Sequence, residues 1–258
     1  DVAARAKGPD LIITAPDGLA EGTHALSWRV VSDDGHPVGG THVFSVGFET
    51  GTPQAAPEPV PWFAALARGV LTLALVLGVG GVVWAALSHR PAPRPISWAL
   101  WAVPPASLSI MAAQAMDLTG VGALALTDPA AWRVAMASPF ALTAALAVVA
   151  AALAATGRKA LVFAAWALAA LSFATAGHAA RAEPALLMAP LMFGHAAALI
   201  FWAGALPGLL AMLRAPDAAA QMARFSRLAA QMARFSRLAA PMVAVLVLTG
   251  AALAWRQV

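Results

Sequence analysis

The chain has no cysteine among its 258 residues. Disulfides and thiolate metal sites are therefore excluded, leaving His, Met, Asp and Glu as possible ligands. Charge is scarce too: Asp, Glu, Lys and Arg make up 11% of the chain, against 61% hydrophobic residues. That balance is foreign to a soluble domain and points to a membrane protein. Other absences narrow the chemistry. The sequence offers no Ser-His-Asp set, no Gly-rich phosphate loop and no paired catalytic carboxylates. Hydrolysis and phosphoryl transfer thus have no machinery, and the chain is not read as an enzyme. The formal net charge of +4 comes mainly from Arg. No basic run is interleaved with aromatics in a soluble stretch, so nucleic acid is not expected as a partner. No initiator Met or signal peptide precedes Asp1, and the chain is read as starting inside a domain.

What is present falls into two parts. Residues 1–49 carry acids, bases and alternating patterns, whereas Ala, Leu, Val and Gly dominate after Pro61. Leu11-Ile12-Ile13-Thr14 is a strand candidate closed by Pro16-Asp17-Gly18. His24, Leu26, Trp28 and Val30 alternate with Ala25, Ser27 and Arg29, a period of two that fits a half-buried strand. After a turn over 33–40, His42, Phe44, Val46 and Phe48 alternate again. Three strands cannot bury a sandwich core, so this segment is expected to be part of a larger β-sandwich. Residues 50–61, rich in proline, form a linker.

Residues 62–258 read as a polytopic helical bundle, making the fold mainly α. Six spans are expected near 65–88, 96–116, 134–156, 160–178, 188–213 and 240–256, each about 20 residues, as a bilayer core requires. The stretch 89–94, the Gly157-Arg158-Lys159 loop and the stretch 214–237 are basic, while the alternate loops are acidic or balanced. Every second loop is positive, which places those loops in the cytoplasm and the N-terminal part outside. Trp62, Trp132 and Trp255 toward one side, and Trp98 and Trp101 toward the other, suit interfacial belts. A ten-residue segment, 221–230, recurs without change as 231–240. As a helix it would gather its arginines in an arc of about 140°, suiting either a basic amphipathic helix or a loop that merely tolerates extra length.

Two histidines lie within the spans. His178 is 19 positions after Lys159, and His195 is 19 positions before Arg214. On consecutive antiparallel helices each falls roughly 28 Å from the basic boundary, hence at one depth near the outer face. An ionisable group in a span suggests a function, here an ion site shared by His178 and His195. The plainer alternative is that each bonds a backbone carbonyl and holds helices together. Met188, Met192 and His195 share one helix face. Thioethers favour Cu(I), and Met192, one turn from His195, is the one thioether candidate, although Met at this spacing also serves packing. In the N-terminal part, Asp34 and His36 flank Gly35; carboxylate plus imidazole suits Cu(II), and Asp-Gly is equally an ordinary turn. His24 and His42 are read as partly buried structural groups. Were His178 and His195 instead to face each other across a porphyrin, they would be axial ligands of a membrane haem.

The run Ser27-Trp28-Arg29-Val30-Val31-Ser32, then Asp34-Gly35-His36-Pro37-Val38-Gly39-Gly40 and Phe44-Ser45-Val46, resembles the C-terminal strands of the CopC copper-resistance family. The helical part is similar to the CopD family often fused behind it. That likeness rests on Gly177-His178-Ala179, on His195 followed by Trp202-Ala203-Gly204-Ala205-Leu206, on Arg234-Phe235-Ser236-Arg237-Leu238 and on Thr249-Gly250. The resemblance implies an Ig-like periplasmic β-sandwich joined to a multi-pass protein of the bacterial inner membrane that takes up or tolerates copper. It implies Cu(II) at Asp34 and His36, together with an N-terminal amine and histidine that have no counterpart here. It further implies Cu(I) or Cu(II) in the membrane, with periplasmic copper chaperones as partners. CopD-like proteins have eight spans, so two more are expected beyond residue 258.

Overall fold

A computed structural model describes residues 3–7, 10–16, 18–31, 37–48, 50, 62–89, 92–119, 122–176, 184–213 and 221–257. The chain divides into two compact units, residues 1–30 with 37–60 and residues 31–36 with 61–258.

The first unit holds two separate two-stranded sheets among its described residues. Strands β1 (Ala3–Lys7) and β2 (Asp10–Thr14) pair antiparallel, with Ala3 opposite Thr14 and Lys7 opposite Asp10. β1 was not anticipated, because its Ala-Ala-Arg-Ala-Lys run lacks the β-branched and aromatic residues that mark strands. Strands β3 (Gly22–Val31) and β4 (Pro37–Val46) form the second sheet. Only antiparallel neighbours can be joined by so short a link as 32–36. Thr23 Oγ1 lies 3.2 Å from Ser45 Oγ, and His24 stacks on Phe44, which sets the register. Thr23 and Thr50 exchange reciprocal backbone-to-hydroxyl bonds of 2.9 Å, tying the chain after β4 back to the start of β3. Neither sheet extends to a sandwich among the described residues, and a lone hairpin is marginal in water.

The second unit is helical. Helix α1 (Trp62–Ser88) carries a π-helical segment at Leu75–Val79. Helix α2 (Arg94–Thr119) starts behind Pro93. A 3-10 turn at Gly122–Thr127 leads to α3 (Pro129–Ala137), whose first turn is capped by Asp128 accepting from Ala130 N at 2.8 Å. Then come α4 (Pro139–Ala155), α5 (Lys159–Ser172), α6 (Ala185–Leu213) and α7 (Gln221–Gln257).

Six spans were expected, and the described helices give fewer. Four are long and apolar enough to cross a membrane, or five if the bent pair α3–α4 counts as one. The physical reasons are local. Pro139 forces Ser138 into an extended conformation, so the segment expected as one span over 134–156 turns by 82° there. Helix α5 ends at Ser172, whose hydroxyl bonds Ala169 O, and its 14 residues cover only about 21 Å of a core of about 30 Å. At the other extreme, the tandem repeat continues the last span, so α7 begins 19 residues before the expected position 240.

Glycine decides how α1 meets α6. A Cβ on Gly80 would overlap the Ile200 carbonyl, and one on Gly204 would overlap Val76 O and the Gly80 backbone. The two helices therefore cross backbone against backbone, as small residues permit in membranes. Nearer the basic end, aromatic rings link helices across the bundle. Trp166 meets Phe201 at 6.2 Å, Phe201 meets Phe235 at 6.4 Å, and Phe235 meets Trp84 at 5.4 Å.

Candidate metal centre

β3 ends at Val31 and β4 begins at Pro37, so the hairpin connection is the segment that contains Asp34 and His36. Both lie outside the described residues. On the adjoining sheet, His24 and His42 flank Phe44, with ring centroids at 5.6 Å and 6.4 Å from it. His24 is half-buried, and its Nε2 donates to Ala20 O at 2.8 Å. That engagement suits the structural role expected of it. His42 departs from expectation, being exposed. The even-numbered face is therefore aromatic and only partly covered.

In the second unit, His178 also lies outside the described residues, so its expected pairing with His195 is not part of the observed geometry. His195 itself is half-buried on α6. Its Nδ1 is 3.2 Å from Leu246 O and 3.1 Å from Thr249 Oγ1, both on α7. A carbonyl only accepts, so Nδ1 carries the proton. Thr249 Oγ1 donates its own hydrogen to Val245 O at 2.6 Å, which leaves its lone pairs to receive Nδ1–H. The tautomer is thereby set, and Nε2 keeps the free lone pair. This is how ligating imidazoles are oriented, with one nitrogen tied to an outer carbonyl or hydroxyl and the other presented to the ion.

The chain makes room for this arrangement with glycine. A Cβ on Gly250 would sit 3.2 Å from His195 Cε1, and one on Gly194 would meet Val245 Cγ1 at 3.8 Å. The bond to a backbone carbonyl is also the helix-joining contact that the sequence left open as the plainer alternative. The helix-joining contact is thus present through Nδ1, and it leaves Nε2 uncommitted to α7. Of the methionines, Met188 is buried and Met192 half-buried. Among the described residues no group of three His, Asp or Glu side chains converges. His195 is thus a single imidazole oriented by α7, with no second His, Asp or Glu gathered around it into a group of three among the described residues.

Two features of the bundle escaped the sequence reading. Arg68, within the first candidate span, places its guanidinium 4.9 Å from the centre of the Phe140 ring, so histidines are not the only ionisable groups on the apolar helices. An Arg inside an apolar run was the available signal. The second copy of the tandem repeat is also engaged. Gln231 Nε2 donates to Ser88 O at 3.2 Å and Arg234 Nη1 to Leu87 O at 3.0 Å, closing orphan carbonyls at the end of α1. Helix α1 itself stops at His89, which takes a left-handed conformation with φ of 56°.

This is the architecture of an N-terminal β unit followed by apolar helices of membrane length, with one oriented imidazole inside. Comparison with known proteins defines the N-terminal unit further: residues 1–47 match the CopC domain. Over 44 residues the chain is 52% identical to Copper resistance protein C of Xanthomonas campestris pv. juglandis, covering 17% of this chain and 35% of that protein. The chain therefore spans about a third of the length of the curated relative it matches. No solved structure matches the chain.

Proposed function

We propose that this chain is a copper-handling membrane protein of the bacterial inner membrane, serving copper resistance or homeostasis. Its CopC unit collects Cu(II) on the periplasmic side, and its helical part, CopD-like in its motifs, receives copper for import or transfer. The observation that carries this reading is the CopC match over residues 1–47, which includes Asp34 and His36, on a chain continuing into apolar helices. Asp34 and His36 would hold the ion at the connection between β3 and β4, with Cu(II) favoured by their N,O chemistry. His195 Nε2 supports a second station, because its lone pair is left free by the bonds that Nδ1 makes to α7. His178, and more weakly Met192, would complete that station. Copper is cargo here, so ligands must exchange rather than lock, and a set of few donors suits release.

The test is metal analysis of the purified chain in nanodiscs after loading with Cu(II) and dialysis. Asp34→Ala and His36→Ala should each lower retained Cu(II) by at least about tenfold in affinity, as expected when one of few ligands is lost. Equal copper content in both variants and the parent would end the reading of the first unit. A Soret band in the visible spectrum of the protein as isolated would end the copper reading of His195 and favour haem.

A further inference from the structure

A cavity of about 670 Å³ opens where α1 ends, α2 begins and α4 ends. Its walls are mostly alanine and valine, including Ala85, Val148, Ala151 and Ala155. It runs from Gly157 back to Val148, about 13 Å along α4 at 1.5 Å per residue. Ala152, Ala155 and Trp101 line it and are themselves exposed, so it is a groove on the flank of the bundle, not an internal void. One end is polar. His89 and Gly157 line that end, and the exposed cations Arg94, Arg158 and Lys159 stand beside it in sequence. No Asp or Glu occurs anywhere in residues 80–116 or 129–182, so nothing acidic on these segments offsets those cations. Trp98 and Trp101, 67% and 77% exposed, sit on the first turns of α2 just after Arg94, the kind of position indole rings take at a headgroup boundary.

We propose that this groove is a binding site for an anionic phospholipid, with an acyl chain along the alanine wall and the phosphate held at the end marked by His89, Arg94, Arg158 and Lys159. Charge complementarity selects the occupant. A second protein helix would fill the apolar wall but would leave the cations facing nothing, whereas a phospholipid satisfies both halves. Basic pockets between membrane helices bind anionic headgroups for this reason.

The full chain, purified in mild detergent, should retain phosphatidylglycerol when weighed by native mass spectrometry, and should rebind it after delipidation in preference to phosphatidylcholine. Reversal of two cations, Arg158→Glu with Lys159→Glu, should cut phosphatidylglycerol affinity by about thirtyfold or more while phosphatidylcholine binding stays unchanged. Ala152→Trp, a change at an exposed wall position, should weaken both lipids. Equal binding of the two lipids by the parent chain, or parental affinity in both variants, would overturn the proposal. Saturation by millimolar inorganic phosphate would overturn it too, by marking a small-anion site. Should a variant not fold, a photoreactive phosphatidylglycerol on the parent chain decides: cross-links within 97–104 and 148–157 support the site, and cross-links elsewhere refute it. A delipidated chain that dimerises through this face without lipid affinity would give the groove to a second copy and refute it equally.

Discussion

At the scale of single residues, the informative atom is Nδ1 of His195. Its two acceptors differ in kind, since Leu246 O belongs to the backbone and Thr249 Oγ1 can be removed by mutation. Thr249→Val keeps the volume and the carbonyl but deletes one acceptor, leaving the ring held more loosely by Leu246 O alone. On the proposed copper reading it should lower membrane copper affinity by about tenfold, the usual cost of losing an outer-sphere partner. Thr249→Ser should restore it. Competition titration with a chelator reads both, and equal affinity for Thr249→Val and the parent would show that the hydroxyl orients nothing. The sequence pointed to His195 from its place in an apolar run and to Thr249-Gly250 from resemblance. It could not connect them, because 54 residues separate His195 and Thr249 and only packing places them face to face.

At the scale of elements, two helix contacts carry distinct predictions. The Gly80–Gly204 crossing has no room for a methyl group against backbone, which cannot step aside as a side chain can. Gly204→Ala should therefore cost about 1–3 kcal/mol or more, the range for overpacking, and lower the thermal midpoint in detergent by several degrees. Gly69→Ala on the same α1 meets nothing within 4 Å and should leave the midpoint unchanged or slightly higher. Equal behaviour of the two variants would contradict the close crossing. The tandem repeat supplies the second prediction. Gln231 and Arg234 of the later copy close the end of α1, and Phe235 packs on Trp84. Arg234→Ala and Phe235→Ala should thus destabilise, each by about 1–3 kcal/mol. Deleting ten residues yields the same sequence whichever copy is removed, and the remaining copy should dock as before. A deletion variant that fails to fold would show that both copies are structural.

At the scale of the whole molecule, the open quantity is topology. Charge alternation leads us to expect the loops at 89–94 and 157–159 on one side and the N-terminal part on the other. The absence of cysteine makes the chain its own background for mapping. Thr156→Cys and Ala123→Cys are expected to react with a membrane-impermeant thiol reagent from opposite faces, with Ala123→Cys labelled in intact cells. Labelling of Thr156→Cys in intact cells would invert the orientation and remove the first unit from the periplasm. The same experiment tests whether α4 crosses, since these two positions lie on either side of it.

The sequence alone determined the coarse organisation: composition called for long apolar helices, period-two alternation marked β3 and β4, and the Asp-Gly-His run pointed to the CopC domain that matches residues 1–47. These are properties of residues and their near neighbours, readable without knowing what packs against what. It also contained the break at Ser138-Pro139, but hydropathy averages over such a kink and reported one straight span. Tertiary structure alone decided the meeting of His195 with Thr249, the Gly80–Gly204 crossing, and the docking of Gln231 and Arg234 on the end of α1. Each depends on how far one helix is rotated and shifted against another. That is set by the shapes of entire faces, and two copies of one decapeptide differ only in where along α7 they fall.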